Sequence, residues 1–172
     1  MSITVTLSPA RLSWSDFAPV AALSDGSGDQ AATATSMTPL DNIRPIQIQG
    51  RFALPDLTLT VGLDRTNTQV VSSAPQTDYL LKHEQGHFDI TVLTVRAMAR
   101  ELELLRTASV AALGQQLGIV RDRHQQRADA LELRYDADTR NAGDTAAQQT
   151  WNDAIDAAMR GLGVMVLQGM PL

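Results

Sequence analysis

The sequence predicts an α+β fold, with an N-terminal antiparallel β-sheet or hairpin followed by three helices. Three observations lead there. In the first half of the 172-residue chain, apolar residues alternate with polar ones, as in Ile3-Thr-Val5-Thr-Leu7 and Leu57-Thr-Leu59-Thr-Val61, the period of a half-buried strand. In the second half, long segments place apolar residues three and four apart behind capping residues, the pattern of amphipathic helices. Between these halves, residues 83–87 read His-Glu-Gln-Gly-His. On a helix, positions four apart differ by about 40° in direction, so both imidazoles would leave one face.

In chain order, residues 3–7 form a strand, and Trp14 and Phe17 anchor the following segment to the core. Residues 24–42 are small, polar and aperiodic, and read as a flexible loop. Ile46, Ile48, Phe52 and Leu54 alternate, as do Leu57, Leu59, Val61 and Leu63, which predicts a hairpin turning at Pro55-Asp56. Gln69–Val71 adds a short strand. Ser73, Pro75 and Gln76 make a helix start, and the first helix runs from about 76 to 106. A second spans about 110–135 with the stripe Leu113, Leu117, Val120, His124, Ala128, Leu131 and Tyr135. A polar loop over 136–144 follows. Thr145 and Gln148 open a third helix with Trp151 and Ile155 on its inner face. The apolar tail forms a last strand or packs on the sheet. The length suits a single domain over 1–172.

Composition narrows the function. The net charge is −5, which argues against a nucleic-acid partner. Cysteine is absent, so a thiolate zinc site is excluded and any metal must take His and oxygen donors. The histidines are His83, His87 and His124. No stretch approaches the roughly 20 apolar residues of a membrane span. The N-terminus lacks a basic start and an apolar run, so the expected protein is cytosolic, exported without a cleaved leader, or trimmed.

The chemistry centres on His83-Glu84-x-x-His87. Two imidazoles on one helix face can hold Zn2+, leaving a position for water, and a glutamate on the neighbouring flank can act as general base. This is the zincin-like helix of a peptidase, and it implies a peptide or protein substrate. The third ligand must come from elsewhere. Glu101 lies fourteen residues beyond His87, about 21 Å along an unbroken helix, and Glu103 lies farther still. Asp89 points about 200° away. The remaining candidates are His124 on the second helix and Asp138, Asn141 and Asp144 in the loop after it. Tyr135 is a candidate hydrogen-bond donor to a tetrahedral oxyanion, with a core tyrosine as the alternative.

HEQGHFDI, the upstream LSWSDFAP, and YDADT with the downstream Gln148 and Trp151 resemble the bacterial DUF922 family of predicted secreted zinc-dependent proteases, over about residues 12–156. The resemblance implies His83 and His87 as ligands, Glu84 as catalytic acid/base, and a secreted or periplasmic location. In the family the Tyr-Asp-x-x-Thr segment often continues x-His-Gly. Here Asn141-Ala142 stands at those positions, and a neutral amide oxygen is a poor zinc donor. Two readings stay open: a zinc metallopeptidase completed by another ligand, and a degenerate module that binds or supports without catalysis. A delivered effector is a third.

Overall fold

A computed structural model describes residues 2–24, 26–40, 43–161 and 163–172. The N-terminal part forms small sheets and the rest three helices, an α+β architecture. Strand β1 (Ile3–Ser8) pairs in parallel with β7 (Leu57–Leu63), and β4 (Thr35–Met37) lies antiparallel on the other side of β7. The register explains the pairing. Ile3, Val5 and Leu7 stand beside Leu57, Leu59 and Val61, while Thr4 and Thr6 stand beside Thr58 and Thr60. Each apolar rung therefore faces the core and each threonine rung faces out, where Thr6 and Thr60 share a 3.0 Å hydrogen bond.

The expected hairpin between 46–54 and 57–63 is replaced by a shorter one. Strands β5 (Ile46–Ile48) and β6 (Arg51–Ala53) pair across Gln49-Gly50, with φ of 49° and 76°. Two central residues in the left-handed region suit a tight hairpin turn, and glycine takes one without steric cost. Pro55 then separates β6 from β7, and β7 leaves to pair with β1. The 24–42 segment also departs from a plain loop, because it contains β3 (Ala31–Ala32) as well as β4. With β2 (Ala18–Val20) and β8 (Gln69–Val71), β3 makes a second sheet in the order β2-β8-β3. Asp41 and Asn42, at the end of that expected loop, lie outside the described residues, as does Asp25.

Helix α1 (Asp78–Leu104) is capped by Thr77, whose side chain accepts from the Leu80 amide, and not by Ser73. It is buried on most of its circumference. Phe88, Val92, Val95 and Leu102 pack on the sheet side with Leu59 and Val61. Ile90, Leu93 and Ala97 pack on the other helices with Leu131, Trp151 and Ile155. Helix α2 (Val110–Thr139) runs a turn past the expected end. Its buried stripe continues from Tyr135 to Thr139, whose hydroxyl donates to the Tyr135 carbonyl at 2.7 Å. The i,i+4 pair Arg134–Asp138 at 2.7 Å supports the added turn. Helix α3 (Thr145–Arg160) is capped by Asp144, whose side chain accepts from the Ala146 and Ala147 amides, and not by Thr145 of the expected Thr145-x-x-Gln148 pattern. The tail makes a two-strand hairpin of β9 (Val166–Leu167) and β10 (Met170–Pro171), and Leu167 and Leu172 are buried in the helical cluster, away from the sheet. No helix among the described residues is long and apolar enough to cross a membrane.

Three consecutive residues after α2, Arg140, Asn141 and Ala142, have φ of 51°, 51° and 64°. The left-handed region costs a residue with a Cβ about 1 kcal/mol. Ala142→Gly is therefore expected to stabilise the fold by about 0.5–1 kcal/mol, a rise of roughly 1–4 °C in Tm by thermal denaturation.

Candidate metal centre

Helix α1 carries His83, Glu84 and His87 into a cleft of about 200 Å³ bounded by residues 29–33 and the end of α2. The two imidazoles meet edge to face, with ring centroids 4.9 Å apart. Their Nε2 atoms lie 3.3 Å from each other. Asp136, on the last turn of α2, completes a triangle: its Oδ1 is 2.9 Å from His87 Nε2 and 3.3 Å from His83 Nε2. Among the described residues this is the group of His and acidic side chains whose donor atoms all lie within 4.8 Å of one another. Bonds of 2.0–2.1 Å to a tetrahedral zinc ion put neighbouring donors about 3.3 Å apart. The triangle fits that size.

His83 is nearly inaccessible, at 3% exposure, so its second nitrogen needs a partner inside the protein. Gln148 of α3 provides it: His83 Nδ1 donates to Gln148 Oε1 at 2.7 Å. The direction is set by the rest of the amide, since Gln148 Nε2 donates to the Tyr135 hydroxyl and, at 3.0 Å, to Asn152 Oδ1. Nδ1 therefore holds the proton and Nε2 turns its lone pair to the cleft. Tyr135 stacks on the back of the His83 ring at 4.7 Å and 16°. Its hydroxyl donates to the His83 carbonyl at 3.2 Å. That approach needs Gly86, because a Cβ there would lie 2.6 Å from Tyr135 Cζ.

Glu84 is 2% exposed and lines the same cleft. Its Oε2 accepts from the Thr33 hydroxyl at 2.7 Å. Burial raises its pKa, against the opposing pull of His87 and the Thr33 hydrogen bond. Glu132, one turn before Asp136, is raised by burial too. Burial alone would lower His87, but the hydrogen bond and charge of Asp136, with Glu84 and Glu132 nearby, raise it to about 9. Asp136 is in turn held well below the usual carboxylate range: burial opposes this, and the two imidazoles outweigh burial. Without a cation, a proton on His87 fills part of that role.

The residues expected from sequence fall into three groups. His83, Glu84 and His87 come together. Asn141 reaches the cleft mouth, but its Nδ2 donates to Asp29 Oδ1 at 2.6 Å. The other third-ligand candidates are engaged elsewhere. Asp138 accepts from Arg134 and from Trp151 Nε1, Asp144 caps α3, and His124 Nε2 lies 3.1 Å from Glu101 Oε2. Tyr135 is fully buried behind His83, with its hydroxyl facing Gln148 and backbone and not the cleft. Asp136 is not among the residues expected from sequence, because the stripe read as ending at Tyr135 leaves it in a loop, whereas α2 continues a further turn to Thr139. The missed signal was Thr139, four residues beyond Tyr135 on the inward stripe. Gln148 is marked in the sequence only as part of a capping pattern and of the resemblance, and its role toward His83 is not legible there, because the partner lies 65 residues away.

Removing the amide, as in Gln148→Leu, is expected to weaken zinc affinity about 10–100-fold in a chelator competition assay. Gly86→Ala should lower Tm, because the overpacking cost of about 1–3 kcal/mol exceeds the gain in helix propensity of roughly 1 kcal/mol. The pH dependence has a definite sign. The His87 pKa is raised from 6.5 to about 9, so its proton stabilises the metal-free fold fully below 6.5, and that stabilisation is lost as pH rises through 9. A cation must displace the same proton. Calorimetric titration should therefore show zinc affinity rising roughly tenfold per pH unit over that range, while the metal-free protein loses thermal stability.

Comparison with curated proteins and with solved structures finds no match. The family described as bacterial protein of unknown function (DUF922) matches residues 25–144, a span that holds His83, Glu84, His87 and Asp136. The chain belongs to the DUF922 family.

Proposed function

We propose that the protein is a zinc-dependent metallopeptidase, with His83, His87 and Asp136 as the metal ligands and Glu84 as general base. The observation that carries this reading is the donor triangle of 2.9, 3.3 and 3.3 Å beside a buried glutamate. Two neutral imidazoles and one carboxylate are a donor set that leaves a catalytic zinc an open position. Asn141 then weighs less against activity, since the ligand set closes without it.

A zinc ion bound there would polarise the scissile carbonyl and lower the pKa of water to about 7. Glu84 is suited to take the proton from the attacking water as its oxygen bonds to the carbonyl carbon, because burial favours its protonated form. It then delivers that proton to the amine as the C–N bond breaks. Thr33 holds the carboxylate in place through one oxygen. The edge of β3 gives a place for the substrate backbone. The Val71 amide donates to the Gln30 carbonyl at 2.8 Å, and Ala34 bonds with the Thr68 hydroxyl. Strand alternation therefore turns the backbone groups of Ala31 and Thr33 away from β8, where an extended polypeptide can pair with them.

The test is zinc content and hydrolysis of an unfolded protein substrate. Glu84→Gln is expected to keep stoichiometric zinc and lose hydrolysis by about 10²–10⁴-fold. Asp136→Ala is expected to lose both. A wild-type protein that carries stoichiometric zinc and cleaves nothing would rule out the peptidase reading and leave a metal-bearing module without catalysis.

A further inference from the structure

Glu132 is a carboxylate of the metal cleft that the proposed chemistry leaves without a task. It lines the cleft from α2, one turn before Asp136. Its Oε1 accepts from the Thr91 hydroxyl at 3.1 Å, and the Thr91 and Thr35 hydroxyls lie 3.3 Å apart. This bridge crosses from α2 over α1 to β4. The metal cleft lies on one side of it, and a separate hollow lined by the same three residues lies on the other. The bridge therefore closes the cleft at the end away from residue 29. Two layers result. Thr33 joins Glu84 beside His87 and Asp136, and Thr35, Thr91 and Glu132 form the next layer. One helical turn separates them along both α1 and α2, about 5.4 Å.

The bridge leaves half of the carboxylate free. Among the described residues Glu132 takes one hydrogen bond and makes no ion pair. Its Oε2 has no partner, yet it is not sealed from solvent. Among the described residues no lysine or arginine lines the cleft. The charge nearest to Glu132 is that of protonated His87, which a metal ion displaces. Glu132 thus presents a negative oxygen, aimed by Thr91, at the closed end of a cleft without a lasting cationic side chain. A carboxylate so placed is stabilised by a cation that donates a hydrogen bond to it.

We propose that Glu132 Oε2 receives the free α-ammonium of a polypeptide substrate, so that the site removes residues one at a time from the N-terminal end. This rests on the peptidase reading and adds the substrate class. Distance selects an α-amine over a side chain. The amine stands three bonds from the carbonyl oxygen of its own residue, about 3 Å, and a charge-assisted hydrogen bond adds about 2.8 Å. Together they match the offset of one turn between the two layers. A lysine carries its ammonium beyond four methylenes and overshoots. The closed end suits a terminus, because no residue precedes the amine. The residues after the cut then run from Thr35 toward Ala31, antiparallel to β3. Water adds to the first carbonyl carbon and the first C–N bond breaks. The products are one amino acid and a polypeptide one residue shorter, whose new amine takes its proton from Glu84.

The experiment has two arms. In the first, Glu84→Gln protein in saturating zinc is titrated calorimetrically with alaninamide and with N-acetylalaninamide, which differ at the amine. Alaninamide is expected to bind about 10–100-fold more tightly, the range of one hydrogen bond to a charged group. Adding Glu132→Gln, which keeps an acceptor for Thr91, is expected to erase that ratio. Equal binding, no binding, or a ratio that survives Glu132→Gln overturns the proposal. The pair of ligands on Glu84→Gln decides this even if the double variant fails to fold. In the second arm, wild-type protein in zinc is offered one peptide with a free or an acetylated N-terminus, and the products are read by mass spectrometry. Single residues are expected to leave the free peptide in order, and acetylation is expected to lower kcat/KM by about 10–100-fold. Internal cuts that acetylation does not slow, or cuts placed by a lysine side chain, overturn the N-terminal subsite and leave the peptidase reading standing. A Glu132-dependent amine ratio with no peptide cleaved supports the ammonium site and overturns the peptidase reading instead.

Discussion

The hydrogen bond from His83 Nδ1 to Gln148 holds the site together. His83 is buried on a helix that is itself buried on most sides, so its polar nitrogen must be met inside the protein. Meeting it with a side-chain amide has consequences in sequence. The amide must also be oriented, which Tyr135 and Asn152 do. Tyr135 must approach α1 closely, which only a glycine at 86 permits. Asp136, the next residue along α2, is thereby brought to the two Nε2 atoms. One requirement for a satisfied nitrogen thus links α1, α2 and α3 into a single unit.

Electrostatics in the cleft follow from the same crowding. Glu84, Glu132 and Asp136 face two imidazoles in one cleft, with Glu84 and Glu132 largely buried. The excess of acid explains why His87 holds a proton so firmly and why Asp136 remains ionised. It also makes the cleft hospitable to a divalent cation, which can take over the position that the His87 proton occupies.

Much of this was legible in the sequence. His83, Glu84 and His87 follow from helical spacing, and the rejection of Glu101 and Glu103 from helix rise holds, since Glu101 pairs with Arg123 and His124 and Glu103 accepts from the Ile3 amide. The three helices were evident from their stripes and caps. What escaped depended on partners distant in the chain. Leu57–Leu63 reads equally well as half of a hairpin or as the neighbour of β1, because alternation specifies a face and not a partner. The short strands β3 and β4 lie in a segment of small residues whose pairing comes from β8 and β7. Asp136 sits in a run of charged residues that resembles a loop until the Arg134–Asp138 pair and Thr139 are counted as helix.

The contact between Thr33 and Glu84 joins residues 51 apart, and that between His83 and Gln148 joins residues 65 apart on the other side. The site therefore draws on strand and helices from widely separated parts of the chain, and loop-closure entropy must be overcome in both directions before it exists. Secondary structure alone does not create it. A chain still emerging from the ribosome could have α1 complete and yet present two histidines free to rotate, without the amide that sets one tautomer. A cation held by His83, His87 and Asp136 would in this sense read out completed tertiary structure, and its binding would tilt the last step of folding toward the native state.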